Sequence, residues 1–478
     1  MPERDTRPNI LLLMTDQHRG DCLGIEGHPV LQTPNLDHIA ASGTRFSRAY
    51  TACPVCIPAR RTLMTGRKPV SHGVFMNYHT RLDGPTLPGE LAKAGYQTHL
   101  VGKLHLWPHR KRYGFQSAEW SDSAKPDADT DYHRFLSREG INWPRAARAH
   151  GMNGNGWDVR PWHLDERFHF SNWCADMAID FLERRDPTCP FFLKVSFVQP
   201  HQPLTPPRCY YDRYLAMDIP GPYVGDWARI FNGPQRGLPV ASWRTALEPQ
   251  LMKQYRAAYY ASINHIDSQV GRILETLPRN TIILFLSDHG EMLGDHQWIR
   301  KRNAYEPSAR IPMLVRLPES MGVTQGRADD HLVELMDVMP TLLEAAGAPV
   351  PDTVDGQSLL PLLRGSAGDW REYLHGECAE VPTAGSGMQY VTDGKCKYVW
   401  LPGAGEEHYF DLQHDPNEMV DLADDPARAE ETARWRDVLV RELVGRPEGF
   451  TNGKQLEELD GPTPFCLPGY ENEDWWRV

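Results

Sequence analysis

Asn9-Ile-Leu-Leu-Leu-Met-Thr15 is an unbroken apolar run, closed by Asp16-Gln17-His18-Arg19. A strand with one wet face alternates apolar and polar residues, so a continuous run predicts a strand covered on both faces. Polar residues enter where it stops. Far along the chain, Thr281-Ile-Ile-Leu-Phe-Leu-Ser287 repeats the pattern and ends in Asp288-His289.

Between these two strands, helical and extended patterns alternate. Thr33-Pro34 offers an N-cap and a proline at the first helical position, and Leu36, Ile39 and Ala40 form an apolar stripe that stops at Gly43. A helix around residues 88 to 94 precedes a strand over 97 to 101, and one over 172 to 184 precedes a strand over 190 to 198. A long helix over 249 to 277 carries Tyr255, Tyr259, Ile263, Ile266, Val270, Ile273 and Leu277 at helical spacing. Repeated helix-to-strand succession defines an α/β fold: a large, mostly parallel central sheet with helices on both faces. Ligands of such sheets bind beyond the carboxyl ends of the strands, where Asp16-Gln17 and Asp288-His289 stand.

Residues 118 to 167 and 210 to 243 show little periodicity and read as irregular insertions of the kind that rim active sites or decorate surfaces. Trp157, Trp162 and His163 in the first are candidates either for stacking on a substrate ring or for anchoring the loop. After Leu363 the pattern changes. Residues 388 to 401 read as a hairpin turning at Asp393-Gly394, residues 409 to 412 as a further strand and residues 426 to 443 as a charged helix. The expected organisation is a catalytic domain over 1–363 and a smaller α+β domain over 364–478. The tail, with Trp475 and Trp476, reads as docked or as a contact surface.

The chain has 478 residues, 40% hydrophobic and 24% charged, with a formal charge of −12. This balance suits a folded globular protein and argues against binding to nucleic acid or an anionic membrane, both of which require a basic face. An anionic substrate would need a local cationic pocket. The apolar run near the start is too short to span a bilayer, and it lacks the build of a secretion signal, so a cytoplasmic location is expected. Nine cysteines without regular spacing do not suggest a disulfide framework, and the lone Cys53-Pro-Val-Cys56 does not make a structural zinc site.

The two strand-end pairs, Asp16-Gln17 and Asp288-His289, fit one divalent cation held between neighbouring strands. Their oxygens suit calcium, magnesium or manganese, and the histidine shifts the balance somewhat away from calcium. The alternative is ordinary polar strand ends and a turn. In Cys56-Ile-Pro-Ala-Arg60 the proline is placed to start a helix, which sets the sulfur at a helix N-terminus with a guanidinium one turn on, both favouring negative charge. A cysteine there can equally be a small buried hydrophobe. Lys103 and His105 follow a strand on one side of an extended chain, His201 follows another strand, and Lys301 lies in the loop after Asp288. Singly, each reads as structural. Together they form a series of cationic groups at strand ends, suited to a tetrahedral oxyanion.

Cys56-Ile-Pro-Ala-Arg60 followed by Thr62-Leu-Met-Thr-Gly66 resembles the signature of type I, formylglycine-dependent sulfatases of the alkaline-phosphatase superfamily. It stands in order with Pro8 to Gln17, Thr33-Pro-Asn-Leu-Asp37, Gly102-Lys-Leu-His105 and Ser287 to His296, and with further similar segments around Tyr305, Asp337 and Asp355. The resemblance runs from about residue 8 to 425. It implies oxidation of Cys56 to formylglycine by a formylglycine-generating enzyme, and a metal, calcium first, on Asp16, Gln17, Asp288 and His289. It further implies that Arg60 and Lys103 stabilise the hydrate and the sulfate oxygens, and that His105 takes the proton that lets covalent sulfate leave. His201 and Lys301 would hold the bridging oxygen and help protonate the leaving alcohol, with Asn77 as a further pocket residue.

The implied reaction is hydrolysis of a small-molecule or saccharide sulfate monoester to alcohol and sulfate. Many members carry Asp-Asp and Asp-Asn at the metal pairs. The Asp-Gln and Asp-His seen here also occur in related phosphonate monoester and phosphodiester hydrolases, which supplies a second reading. A third is a non-catalytic anion-binding member in which Cys56 stays a thiol. Neither nucleic acid nor a membrane is expected as partner, and the acidic composition sets no oligomeric state.

Overall fold

A computed structural model describes residues 5–122, 129–322, 326–366, 368–379 and 387–471, so Trp475 and Trp476 lie outside the described residues. Eight strands form the main sheet: β1 (Asn9–Asp16), β2 (Thr44–Tyr50), β3 (Gln97–Gly102), β4 (Ser117–Trp120), β5 (Phe191–Pro200), β6 (Thr281–Ser287), β7 (Met313–Arg316) and β8 (Arg327–Glu334). Their order is β4-β3-β5-β1-β6-β7-β2-β8. Only β7 runs antiparallel to its neighbours, and the remaining pairs are parallel.

The apolar run of β1 is central, and its residues divide between two layers. Ile10, Leu12 and Met14 pack with Leu63 and Met64 of the Cys56–Thr65 helix and with Leu342 and Leu343. Leu11 and Leu13 face Trp173 of the Phe170–Arg184 helix and Val270 and Ile273 of the Pro249–Glu275 helix. Each such side chain contributes about 1.5–3 kcal/mol through burial, enough in sum to hold both helical layers on the sheet. Along the long helix Tyr255, Tyr259, Ile263, Ile266, Val270 and Ile273 are buried as expected, while Leu277 lies past the helix end and is half-buried.

Thr33 does not act as the expected side-chain cap. Its hydroxyl donates to Asp37 Oδ1 (2.9 Å) and accepts from Gly24 N (2.8 Å). The open amides of Asn35 and Leu36 go instead to the buried carboxylate of Asp267 on the long helix, at 3.1 and 2.8 Å. A tertiary carboxylate thus does what the local hydroxyl was expected to do.

The insertions are less irregular than their composition suggests. The first holds β4 and the helices Asp131–Arg138 and Trp143–His150, whose N-caps Thr130 and Asn142 accept from His133 N and Arg145 N. The second starts within the helix Arg208–Leu215. These helices are about two turns long, too short for a periodic pattern to emerge from sequence.

A second, antiparallel sheet has the order β12-β11-β10-β9, built from β9 (Leu374–Cys378), β10 (Met388–Thr392), β11 (Cys396–Leu401) and β12 (Glu406–Asp411). The hairpin turns at Asp393-Gly394, with glycine at φ 74° and Asp393 Oδ1 accepting from Lys395 N and Cys396 N. The Ala429–Leu443 helix covers this sheet through Trp435, Val438, Leu439 and Leu443. On β11, the fully buried Lys397 Nζ donates to Glu306 Oε1 (2.8 Å) and Glu418 Oε1 (2.9 Å), which ties the small sheet to the helical turn Glu306–Ala309 that precedes β7.

Candidate active site

The pairing of β1 with β6 sets Thr15 opposite Ser287, so the next residues, Asp16 at the end of β1 and Asp288 just past β6, stand side by side. The chain turns sharply there. Gln17 has φ 67°, and its amide donates to Asp288 Oδ1 (3.1 Å), which also accepts from His289 N (3.0 Å). Asp16, Gln17, Asp288 and His289 all have 0% exposure.

Cys56 is the first residue of its helix, and all ten residues of that helix are buried. Its Sγ lies 3.1 Å from His289 Nε2 and 3.7 Å from Asp16 Oδ1. One turn on, Arg60 spans both carboxylates, with Nε on Asp288 Oδ2 (2.8 Å) and Nη2 on Asp16 Oδ2 (3.2 Å). Its Nη1 donates to Lys103 O and Ser196 Oγ, each at 3.1 Å. Burial and Asp16 oppose ionisation of the Cys56 thiol, but Lys301, Lys103 and His289 outweigh them and hold it well below the usual thiol range. Asn77 accepts from the Ile57 amide through Oδ1 (2.9 Å), satisfying an open donor of the same helix end.

The cationic groups converge from separate loops. Gly102 closes β3 at φ 90°, where an added Cβ would stand 2.2 Å from Ser196 O. Only glycine allows this approach, which lets Lys103 N donate to Ser196 O (2.9 Å) and sends Lys103 Nζ to Asp16 Oδ2. His105, at φ 55°, is pinned through its amide to Asp122 Oδ1 (2.8 Å), and its ring lies beside Cys56. His201 Nδ1 donates to Gln202 O (2.7 Å), which leaves Nε2 as the nitrogen with the lone pair; burial and then Lys301 push its pKa down to about 3. Lys301 Nζ donates to Gln17 Oε1 (2.6 Å). Its neighbours Arg300 and Arg302 both have positive φ, and both guanidinium groups lie over the Trp243 ring, at 3.4 and 4.3 Å from its centroid. This stacking fixes the loop that presents Lys301. The structure therefore gathers Asp16, Gln17, Cys56, Arg60, Lys103, His105, His201, Asp288, His289 and Lys301 into one cluster, buried except for the half-buried His105 and His201, with Asn77 behind it.

The donor set can hold a divalent cation. Asp16, Cys56, Asp288 and His289 offer ligand atoms within 4.8 Å of one another. Each carboxylate gives Oδ2 to the cationic side chains, while both Oδ1 atoms lie 3.7 Å from His289 Nε2. His289 Nδ1 donates to Gly290 O (3.0 Å), which turns Nε2 toward the carboxylates; in the neutral ring it is then Nε2 that carries the lone pair, the tautomer a metal requires. Burial opposes ionisation of Asp16, yet Lys103, His201, Arg60 and Lys301 hold its carboxyl well below the usual range, keeping it anionic.

Sequence patterns missed Glu291, Gln202, Asp122, Ser196 and Trp243. Glu291 stands two residues past His289 and Gln202 one past His201, but spacing does not tell which side chains turn inward. Trp162 packs on Trp143 (6.0 Å between rings) and donates to Asp165 O (3.1 Å), and Trp157 packs against the cluster holding Leu293 and Ile299. Both anchor the insertions. All nine cysteines are free, and among the described residues no helix is long and apolar enough to cross a membrane.

Comparison with known proteins places this constellation in a family. The sulfatase family model matches residues 8–348, and a model of the C-terminal part of N-sulphoglucosamine sulphohydrolase matches residues 294–443. An arylsulfatase of Clostridium perfringens is 40% identical, over 94% of this chain and 97% of that protein. An N-acetylglucosamine-6-O-sulfatase of Bacteroides thetaiotaomicron is 26% identical, over 88% and 83%. The crystal structure of the phosphonate monoester hydrolase of Agrobacterium radiobacter superposes with a TM-score of 0.76 at 25% identity, covering 91% of this chain and 95% of that one. The chain belongs to the sulfatase family and is a sulfuric ester hydrolase.

Proposed function

We propose that the protein hydrolyses an organic sulfate monoester, of a carbohydrate or an aryl alcohol, with Cys56 as the precursor of its nucleophile. The observation that carries this reading is the position of Cys56 Sγ at a helix start, 3.1 Å from His289 Nε2 and enclosed by Lys103, His105 and Lys301. Maturation would need a formylglycine-generating enzyme. The formylglycine hydrate supplies one hydroxyl to attack sulfur and a second through which sulfate is expelled.

Asp16, Gln17, Asp288 and His289 would hold one divalent cation, calcium first, with manganese and magnesium as the alternatives that the neutral Gln17 and His289 admit. Such an ion lowers the pKa of the attacking hydroxyl and offsets the charge of the approaching anion. Arg60 keeps the two carboxylates in place. Lys103 and Lys301 face the sulfate oxygens, and His105 takes a proton at the ring nitrogen turned toward residue 56. His201 presents Nε2 toward the leaving oxygen; an anion bound beside Lys301 raises its proton affinity from the low value of the free site, readying it to protonate the alcohol.

A second reading, hydrolysis of a phosphonate monoester or phosphodiester, is favoured by the Gln17 and His289 ligands and by the likeness to the phosphonate hydrolase. Paired assays on 4-nitrophenyl sulfate and 4-nitrophenyl phenylphosphonate separate the two. The expected result is a larger kcat/KM on the sulfate, and a much larger value on the phosphonate overturns the first reading. Mass spectrometry of the peptide containing residue 56, from the native host, should show the aldehyde or its hydrate. A quantitative thiol there would leave an anion-binding protein.

A further inference from the structure

Glu291 has 0% exposure, accepts a hydrogen bond from the proposed ligand Gln17 and forms no ion pair among the described residues. Four N–H donors hold it instead. Oε1 accepts from the amides of Leu293 (2.9 Å) and Arg300, and Oε2 accepts from Gln17 Nε2 and from Gln202 Nε2 (3.2 Å). Gln202 closes the arrangement, because its Oε1 accepts a second hydrogen from Gln17 Nε2 (2.7 Å) and its Nε2 donates to Tyr255 OH (2.8 Å).

An amide has a donor end and an acceptor end of nearly equal shape, so its orientation is set by its neighbours. A carboxylate can only accept. Both hydrogens of Gln17 Nε2 are thereby committed, one to Glu291 and one to Gln202, and the carbonyl oxygen must face the other way. It does, since Gln17 Oε1 accepts from Lys301 Nζ at 2.6 Å. If the amide turned over, its oxygen would stand against the buried carboxylate and its NH2 against an ammonium. Both contacts would be repulsive.

We propose that Glu291 is a positioning residue that locks the Gln17 amide with its oxygen toward the cation site and Lys301, and that its buried charge raises the affinity of that site for a divalent ion. The inference rests on the reading of Asp16, Gln17, Asp288 and His289 as cation ligands. It explains how a neutral side chain holds a ligand position among two aspartates: the third negative charge sits one hydrogen bond further out. Second-layer partners of this kind commonly change metal affinity by about 10- to 100-fold.

The test is a titration of metal-free, full-length protein with Mn2+, followed by electron paramagnetic resonance and calorimetry. Wild type, E291Q, Q17E and the exchange Q17E/E291Q are compared, with circular dichroism as the check on folding. E291Q should bind Mn2+ at least tenfold more weakly than wild type. Q17E alone should also be impaired, because it sets two carboxylates against each other. The exchange should regain affinity, because the amide introduced at position 291 can donate to the carboxylate introduced at position 17. Affinity of E291Q within twofold of wild type, or purely additive effects of the two changes, overturns the proposal. If E291Q does not fold but the exchange does, the pairing is upheld; if neither folds, Glu291 serves folding and the proposal fails. Absence of Mn2+ binding by wild type would instead refute the cation site itself.

Discussion

Lys194→Met should stabilise the protein. Lys194 sits in mid-sheet on β5, opposite Leu12 and Leu100, with 0% exposure. Its Nζ has no hydrogen-bond partner among the described residues. Burial first, and then the nearby Arg60, drive its pKa well below the ordinary lysine value of 10.5. Keeping an amine neutral at pH 7 against that reference costs up to about 5 kcal/mol, at 1.36 kcal/mol per pH unit. Methionine has similar length and no amine, so the variant should gain about 2–5 kcal/mol at pH 7. The sign follows from proton counting. Below pH 10.5 the unfolded wild type binds the proton that the folded protein lacks, so wild-type stability rises with pH and the advantage of the variant shrinks by up to about 1.4 kcal/mol per unit. Urea unfolding followed by tryptophan fluorescence at pH 7, 8 and 9 reads both effects, and kcat/KM should stay within about twofold, as Lys194 touches no reacting group. A less stable variant at pH 7, or the same difference at pH 7 and 9, would refute a neutral, unpaired amine.

Four other outcomes are expected. His201→Asn should lower kcat/KM by about 10²–10⁴, more for alcohols that leave poorly, as measured across a series of aryl sulfates; equal loss across the series would remove His201 from leaving-group protonation. Chelation should lower the melting temperature, and added Ca2+ or Mn2+ at about 100 times its Kd should restore about 3 kcal/mol, since the buried Asp16 and Asp288 are matched to a cation. Glu334 is raised to about 8, by burial and then by Asp337. Its contribution is present in full below pH 4.5 and is lost as pH rises through about 8, so the fall in wild-type stability across this window should be flatter in Glu334→Gln by calorimetry. Asn77→Ala removes the acceptor of the Ile57 amide and should cost about 1 kcal/mol in unfolding free energy, with a loss in kcat that exceeds any change in KM.

Where the fold could be read from residues, the reason was physical. β6 runs over Thr281–Ser287, as its unbroken apolar run predicts, because a strand buried on both faces leaves no polar position to blur its ends. β2, Thr-Arg-Phe-Ser-Arg-Ala-Tyr, and the four-residue β7 carry no such signal and owe their state to pairing with distant strands. The site divides in the same way. Asp16 with Gln17 and Asp288 with His289 were visible as polar pairs ending apolar strands. Trp243 was not, because its function depends on two arginines brought over its ring by left-handed turns some sixty residues later.

The Lys397 ammonium, shared between Glu306 and Glu418, bears on how this enzyme can be recombined. Glu306 belongs to the helical turn before β7, whereas Lys397 and Glu418 come from β11 and the segment after β12. A chimera that takes its C-terminal half from a relative and breaks between them would strand a carboxylate or an ammonium in the interior, typically at a cost of about 3–5 kcal/mol. Crossovers should therefore fall before Glu306, so that the three charges are inherited together.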